Sequence, residues 1–411
     1  MFAMVFCALL AAGPMSLTQI DSEVLANNPE IHAAVHQTRI AEARIGSAMS
    51  SDDPQFSYRG WGAPLLQPWN VNQTQHMFMF TENIPSKSKR ELQYLIASDD
   101  VDIQAMAVEA KKREVIAMAH QAFNQLLRSY DQLRIHHDEV QLASQTVDAT
   151  RIQYVAGKAM QADVLKAGVA YSRLAEHEIM LERDADSARA ALNTLMGRPP
   201  GAPLEIEGDY SMVTQLPTQA ALIALAVENR PELLQLQLMQ NQADRKVRLA
   251  GTTMQPEYSV TAGYMLMPSG SEHRNGWMGE FSMTLPWLNR SKHEAEIQQA
   301  HEERNAIAAE YQKQLSSITR EIRDSMIRAT SFRKIVELYR DTLRPDTANV
   351  SKATTVAYQT EQAGLLNVLD SQNMSIEVEY AFFDALANYE QSIADLERAI
   401  GVMVPGERKP L

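Results

Sequence analysis

The sequence repeats itself once, and that repeat limits the fold more than any other feature. Asn28-Pro29-Glu30-Ile31 is echoed by Arg230-Pro231-Glu232-Leu233, and Pro54-Gln55-Phe56 by Pro256-Glu257-Tyr258. Pro85 has a counterpart in Pro286. Tyr154 with Asp163-Val164-Leu165 has one in Tyr358 with Asn367-Val368-Leu369, and Gly197 has one in Gly401. So many markers kept in one order do not arise by chance, so the chain is read as two copies of one unit, 14–200 and 201–411. Whatever one copy builds, the other must build again.

Each copy holds the same parts in the same order. A helix-like stretch (16–50 and 217–253) leads into a Pro-bounded block (54–85 and 256–286). A very long helical stretch (87–153 and 291–357) and a shorter one (160–196 and 364–400) follow. Pro345 falls inside the second long stretch and predicts a kink or break there. That stretch carries a heptad seam: Tyr311, Leu315, Ile318, Ile322, Ala329, Phe332, Val336, Tyr339 and Leu343, with Ser325 the one polar step. Steps of three and four sustained this way specify left-handed supercoiling against neighbouring helices. At 1.5 Å per residue, such stretches reach on the order of 100 Å. A soluble fibrous coiled coil, such as a periplasmic coiled-coil adaptor, would share the seam.

The Pro-bounded blocks separate the two readings. Tyr258, Val260, Ala262, Tyr264 and Leu266 alternate with Ser259, Thr261 and Gly263. Trp277, Gly279, Phe281, Met283 and Leu285 alternate with Glu280, Ser282 and Thr284. Period two puts one face in oil and the other in water, and ~9–11 residues cross a bilayer as a tilted strand. Tyr258, Val260 and Phe281 are therefore expected to face lipid and Thr261 the wet side. The first block alternates at Phe56 and Tyr58, but Met77-Phe78-Met79-Phe80 is apolar on both faces. Trp61, Trp69, Trp277 and Trp287 lie in or beside the blocks, as an interfacial girdle would require. Four strands cannot close a barrel, and an open sheet in lipid leaves its edge groups unsatisfied. Several chains must pool their strands, and three would give twelve.

Composition adds exclusions. A formal charge of -13 argues against a nucleic-acid partner. No segment approaches the ~18 consecutive apolar residues of a membrane-spanning helix, a test to which barrel strands are blind. Residues 1–13, MFAMVFCALLAAG, read as the apolar core of a secretory signal, with cleavage near Ala11-Ala12-Gly13 and no basic residues before it. Cys7, the only cysteine, lies inside it, so the mature chain carries no disulfide framework.

With these parts in this order, the sequence resembles the TolC family of outer-membrane efflux proteins over nearly its whole length. Short stretches carry the resemblance too: Tyr358 followed by Leu366-Asn367-Val368-Leu369-Asp370, and the ending Asp395-Leu396-Glu397-Arg398-Ala399-Ile400-Gly401. Pro286-Trp287-Leu288-Asn289-Arg290, with Arg230-Pro231-Glu232-Leu233, looks most like the heavy-metal cation efflux branch. The resemblance implies a mixed α and β membrane protein: a homotrimer with a 12-stranded outer-membrane β-barrel, continued by a long periplasmic α-helical barrel. It implies the exit duct of a tripartite efflux system in a Gram-negative bacterium, passive, without cofactor or enzymatic activity. Its partners would be outer-membrane lipid, a periplasmic adaptor (membrane fusion protein) and an inner-membrane pump. Metal cations are the cargo of that branch, and a type I protein-secretion duct is the alternative within the family.

The resemblance also names residues. The turns after Tyr154 and Tyr358 match the narrow periplasmic end, where family members set rings of carboxylates. Asp370 keeps one such position, and Asn367 holds an amide at the other. Copy one has Asp163 and Lys166 there. The turn that receives the adaptor hairpin corresponds to Val155 and Gly157 in copy one. In copy two it corresponds to Gln359 and Glu361, which depart from the small-residue pattern.

Other signals are set aside. Met77, Met79, Met265 and Met267 are soft ligands suited to Cu(I), but thioethers more often fill gaps in apolar surface. His136-His137-Asp138-Glu139 reads as a solvated face, since adjacent helical positions point about 100° apart. His177-Glu178 lacks the second histidine of a zinc-protease helix. No metal or catalytic site is expected.

Overall fold

A computed structural model describes residues 13–62, 66, 74–268, 275–360 and 362–410. The apolar start with Cys7, Trp69 and Glu361 lie outside the described residues. Helices α1 (Leu17–Asn27) and α2 (Pro29–Met49) precede strands β1 (Gln55–Trp61) and β2 (Gln75–Ile84). Helices α3 (Lys87–Val155) and α4 (Gln161–Leu195) and a short strand β3 (Ser211–Val213) follow. The order then recurs as α5 (Gln219–Asn229), α6 (Pro231–Thr252), β4 (Tyr258–Leu266) and β5 (Gly276–Met283). Last come α7 (Arg290–Leu338), α8 (Arg344–Gln359), α9 (Leu365–Ile400) and strand β6 (Arg408–Pro410), which pairs with β3.

Local chemistry sets the joints. The Ser16 N–H donates to Gln19 Oε1 at 2.9 Å, the Gln arm of a capping box that opens α1. Pro29 and Pro231 open α2 and α6 at the first helical position, where a missing N–H costs nothing. Pro345 widens its helix instead of breaking it. Residues Tyr339–Leu343 form a π turn, in which the Arg344 N–H reaches the Tyr339 carbonyl. Pro345 has no N–H for the carbonyl four residues back, and the wide turn absorbs the mismatch.

The chain divides into two compact units, each drawing on both copies of the repeat. One holds residues through 33, 109–231 and from 315 on; the other holds 34–108 and 232–314. In the first, Ile20 and Val24 of α1 pack with Val115, Phe123 and Leu126 of α3 and Leu192 of α4. The seam of α7 is buried as its spacing predicts: Ile318, Ile322, Ala329 and Val336 are fully covered. Ser325 is buried with them, and Arg328 donates to its hydroxyl at 3.3 Å. The polar step is thus part of the seam.

One joint of this unit is built twice. Asn28 Nδ2 donates to the Leu195 carbonyl at 2.9 Å, and Arg230 Nη1 donates to the Ala399 carbonyl at 3.1 Å. Each acceptor lies two residues before a glycine with positive φ, Gly197 at 71° and Gly401 at 77°. An ideal Cβ on Gly197 would fall 2.8 Å from the Asn27 oxygen, and one on Gly401 would fall 2.9 Å from the Asn229 oxygen. The helix must end left-handed where another backbone crosses it, and only glycine allows both.

The second unit contains an antiparallel four-stranded sheet of order β1-β2-β4-β5. The two strand pairs join through β2 and β4, with Phe78 opposite Tyr264 and Phe80 opposite Ala262. Among the described residues β1 and β5 are hydrogen-bonded on one side only.

Candidate functional site

Two surfaces draw together the residues singled out in the sequence. The first is the sheet. Its register puts Phe56, Tyr58, Phe78, Phe80, Ile84, Tyr258, Val260, Ala262, Tyr264, Trp277, Phe281 and Met283 on one face. Val260 lies directly opposite Phe281, and Tyr258 stacks on Phe281 at 5.7 Å between ring centroids. Trp277 meets Tyr264 edge-on at 5.2 Å. These large apolar side chains are exposed, Trp277 by 83% and Phe56 by 69%, a continuous patch that a water-soluble chain would cover. Glu82 and His76 are the polar members of this face, and His76 Nδ1 lies 2.7 Å from the Tyr58 hydroxyl.

The opposite face carries Ser57, Arg59, Gln75, Thr81, Asn83, Ser259, Thr261, Glu280 and Ser282. The run 77–80, apolar throughout in sequence, is sorted by the pleat: its phenylalanines join the aromatic face and its methionines the polar one. Two expectations are corrected. Trp61 pairs with Gln75 on the polar face, so it shares no surface with Trp277. Thr261 is 6% exposed, and its hydroxyl bonds that of Thr81 at 2.8 Å, so it is not an open, wet position. Ser282, exposed on the same face, is.

The second surface is formed by the turns that follow α3 and α8. The two turns meet there, with the Tyr358 hydroxyl donating to Gln153 Oε1 at 2.8 Å. Val155 ends α3 and is 82% exposed, and Gly157 turns the chain with φ 72°. Gln359 ends α8. Asp163 caps α4 by accepting the Met160 N–H at 3.2 Å. Asp370 has no such duty: α9 begins at Leu365, which places Asp370 beyond the first turn, where the helix dipole has faded. It is exposed and lines a groove of about 740 Å³ between α4 and α9, together with Lys166, Arg173, His177 and Tyr380. Asn367, one turn earlier, is exposed with its N–H bonded to Gly364. Asp370 and Lys166, which hold the same place in the two copies, thus share one groove.

His136 departs from the sequence reading most sharply. It is fully buried, not part of a solvated face. Its Nε2 donates to the Leu174 carbonyl at 2.8 Å, its Nδ1 takes the Tyr380 hydroxyl, and its ring lies 5.4 Å from that of His177. It ties α3, α4 and α9 together. Partners 38 and 244 residues away along the chain left no pattern to read in sequence. Burial, with His177 adding repulsion, lowers its pKa below the ordinary histidine value, while the Leu174 carbonyl opposes the shift. The folded state then takes up this proton less readily than the unfolded chain. Stability from this group is complete above the unfolded value of 6.5 and is lost as pH falls through it toward the folded value. His136→Asn is expected to flatten the acid limb of a thermal-unfolding profile between pH 7 and pH 5. An unchanged slope would assign that limb to other groups.

Among the described residues, no group of three or more His, Cys, Asp or Glu could hold a metal ion, and no helix is long and apolar enough to cross a membrane.

Known proteins agree with this geometry. The family model described as outer membrane efflux protein matches residues 21–198 and again 222–402. The probable efflux pump outer membrane protein TtgC of Pseudomonas putida is 19% identical over 405 residues, 94% of this chain and 83% of its own length. Among solved structures, CusC superposes with a TM-score of 0.79 at 15% identity, covering 94% of this chain and 92% of the other. VceC of Vibrio cholerae gives 0.76 at 16% identity, covering 94% and 96%.

Proposed function

The chain belongs to the outer membrane efflux protein family, and from that premise we propose that it is the exit duct of a tripartite efflux system. One observation carries the reading. A four-stranded sheet exposes a band of aromatic and branched side chains on one face and polar ones on the other, and among the described residues both its edges are open. Lipid is the solvent that favours such a face, and a barrel is what satisfies such edges. Three chains supply twelve strands, so the duct is a homotrimer with its helices in the periplasm.

The duct does no chemistry, and energy comes from an inner-membrane pump joined through a periplasmic adaptor. The adaptor docks on the turn at Val155, which is exposed, and Gly157, and in copy two at Gln359 and Glu361. Metal cations are the cargo this reading favours. CusC, a protein that forms a transmembrane channel, is one of several neighbours of comparable likeness. The metal branch therefore rests on the Pro286–Arg290 turn rather than on fold. Asp370, unoccupied by any capping role, rings the narrow end as a cation-attracting carboxylate.

Planar-bilayer recording of detergent-purified protein of trimeric native mass tests this. A stable conductance with cation selectivity is expected. Asp370→Ala should lower that selectivity and weaken divalent block, and Asn367→Asp should raise both, since i and i+3 share a face. A monomer soluble without detergent would overturn the duct. Unchanged selectivity in both variants would move the constriction to other residues.

A further inference from the structure

The polar face of the sheet contains a feature that a water-filled lumen does not require. Met79 of β2 and Met278 of β5 are the two cross-strand neighbours of Gly263. In the adjoining row Met77 is the direct partner of Met265. Side chains paired this way have Cβ atoms about 4.5–5.5 Å apart, and diagonal ones about 7–8 Å. Four thioethers from three strands share this face, opposite the aromatic one, with Met79 and Met278 flanking Gly263 from the strands on either side of it. Met267 lies past the end of β4, and Met278, two strands from Met79, completes the set.

Gly263 is what brings the sulfurs inward. A Cβ there would sit 3.2 Å from Met79 Cγ and 3.4 Å from Met278 Cε, so both side chains lean over the glycine from opposite sides. Met79 is 5% exposed. Gln75 Nε2 donates to Met265 Sδ, which orients that sulfur and leaves its second lone pair. Charge grades the set. Arg59 is the cross-strand partner of Met77, whereas Glu280 lies two residues beyond Met278 on the same face. Met79, Met265 and Met278 thus form the core, with Met77 its weakest member.

We infer that this patch is a binding site for a soft monovalent metal ion, Cu(I) or Ag(I). Thioethers are neutral, polarisable donors that need no deprotonation, and they select soft ions over Na⁺, Mg²⁺ or Ca²⁺. Neutral ligands bind without the strong hold of thiolates, which suits an ion that must leave again. This deepens the duct reading, because it places the site on the wall of the lumen.

The test titrates Ag⁺ alone, as nitrate in chloride-free buffer, into the detergent-solubilised oligomer, with native mass spectrometry and calorimetry as readouts. One Ag⁺ per chain is expected in the natural protein. None is expected in a variant with Met77, Met79, Met265 and Met278 all changed to Leu, and Met77→Leu alone should weaken binding least. A second readout on the unaltered chain guards against misfolding of the variant. Peroxide oxidation of the four methionines should slow about tenfold with Ag⁺ bound, while exposed Met160 is unprotected. Equal oxidation with and without Ag⁺, or full Ag⁺ binding by the fourfold variant, would reduce the cluster to packing. Conductance of the same samples keeps the two readings apart. A conducting trimer that binds no silver sinks the site alone, and a silver-binding protein without a pore sinks the duct alone.

Discussion

Ala262→Arg on the aromatic face is expected to destabilise the membrane-inserted protein by about 2–4 kcal/mol, the cost of a guanidinium at mid-bilayer. Ala262 is the middle residue of β4, and its side chain is exposed beside Phe80. Val260→Arg and Phe281→Arg, directly opposite one another and nearer the strand ends, should fall in the lower half of that range. Three chains in one barrel multiply the effect, so Ala262→Arg should sharply reduce the folded fraction. Ser282→Arg is the control. It lies next to Phe281 in sequence, on the other face and already exposed, and water can solvate it. Urea unfolding from lipid vesicles, read by the loss of heat-modifiable mobility on gels, gives the four values. If Ser282→Arg proves as damaging as Phe281→Arg, the two faces do not meet different solvents, and the lipid assignment fails.

Gly401→Ala is expected to destabilise the unit that contains α9 by about 2–4 kcal/mol, through two additive costs. A side chain at φ 77° is held in a left-handed conformation, at roughly 1 kcal/mol. The new Cβ would also collide with the Arg113 guanidinium and lie 2.9 Å from the Asn229 oxygen. Arg113 cannot simply move aside, because its Nη1 donates to that same oxygen at 2.6 Å. Displacing it leaves a part-buried carbonyl without its donor. Gly46→Ala gives the opposite sign: Gly46 lies within α2, nothing lies within 4 Å of its Cβ position, and a helical alanine there should add about 0.5–1 kcal/mol. Thermal unfolding of the two variants decides it. A neutral Gly401→Ala would mean that the crossing of α9 with the Asn229 backbone is looser than the structure has it.

The sequence by itself determined what depends on period and on local chemistry. Alternation between Tyr258 and Leu266 decides which side chains share a face, because a strand has only two faces. Steps of three and four between Ile318 and Val336 decide which side of α7 is covered, and Pro29 and Pro231 decide where helices begin. The repeated markers were legible as a repeat, but their reason is tertiary: Asn28 with Gly197, and Arg230 with Gly401, build the same joint across about 170 residues of chain. Tertiary structure decided what depends on which segments meet. Strand alternation parts Met77 and Met79 from Phe78 and Phe80, but only the register with β4 decided which pair joins the aromatic face, since an all-apolar run has no polar side to read. Ser325 took its place in a buried seam because its helix position outweighs its polarity when a neighbour donates to it. That Asp370 caps no helix was decided by where α9 begins, at Leu365, a full turn before it. His136 is the clearest case: Leu174 and Tyr380 lie on other helices, and no local pattern announces a hydrogen bond that only folding creates.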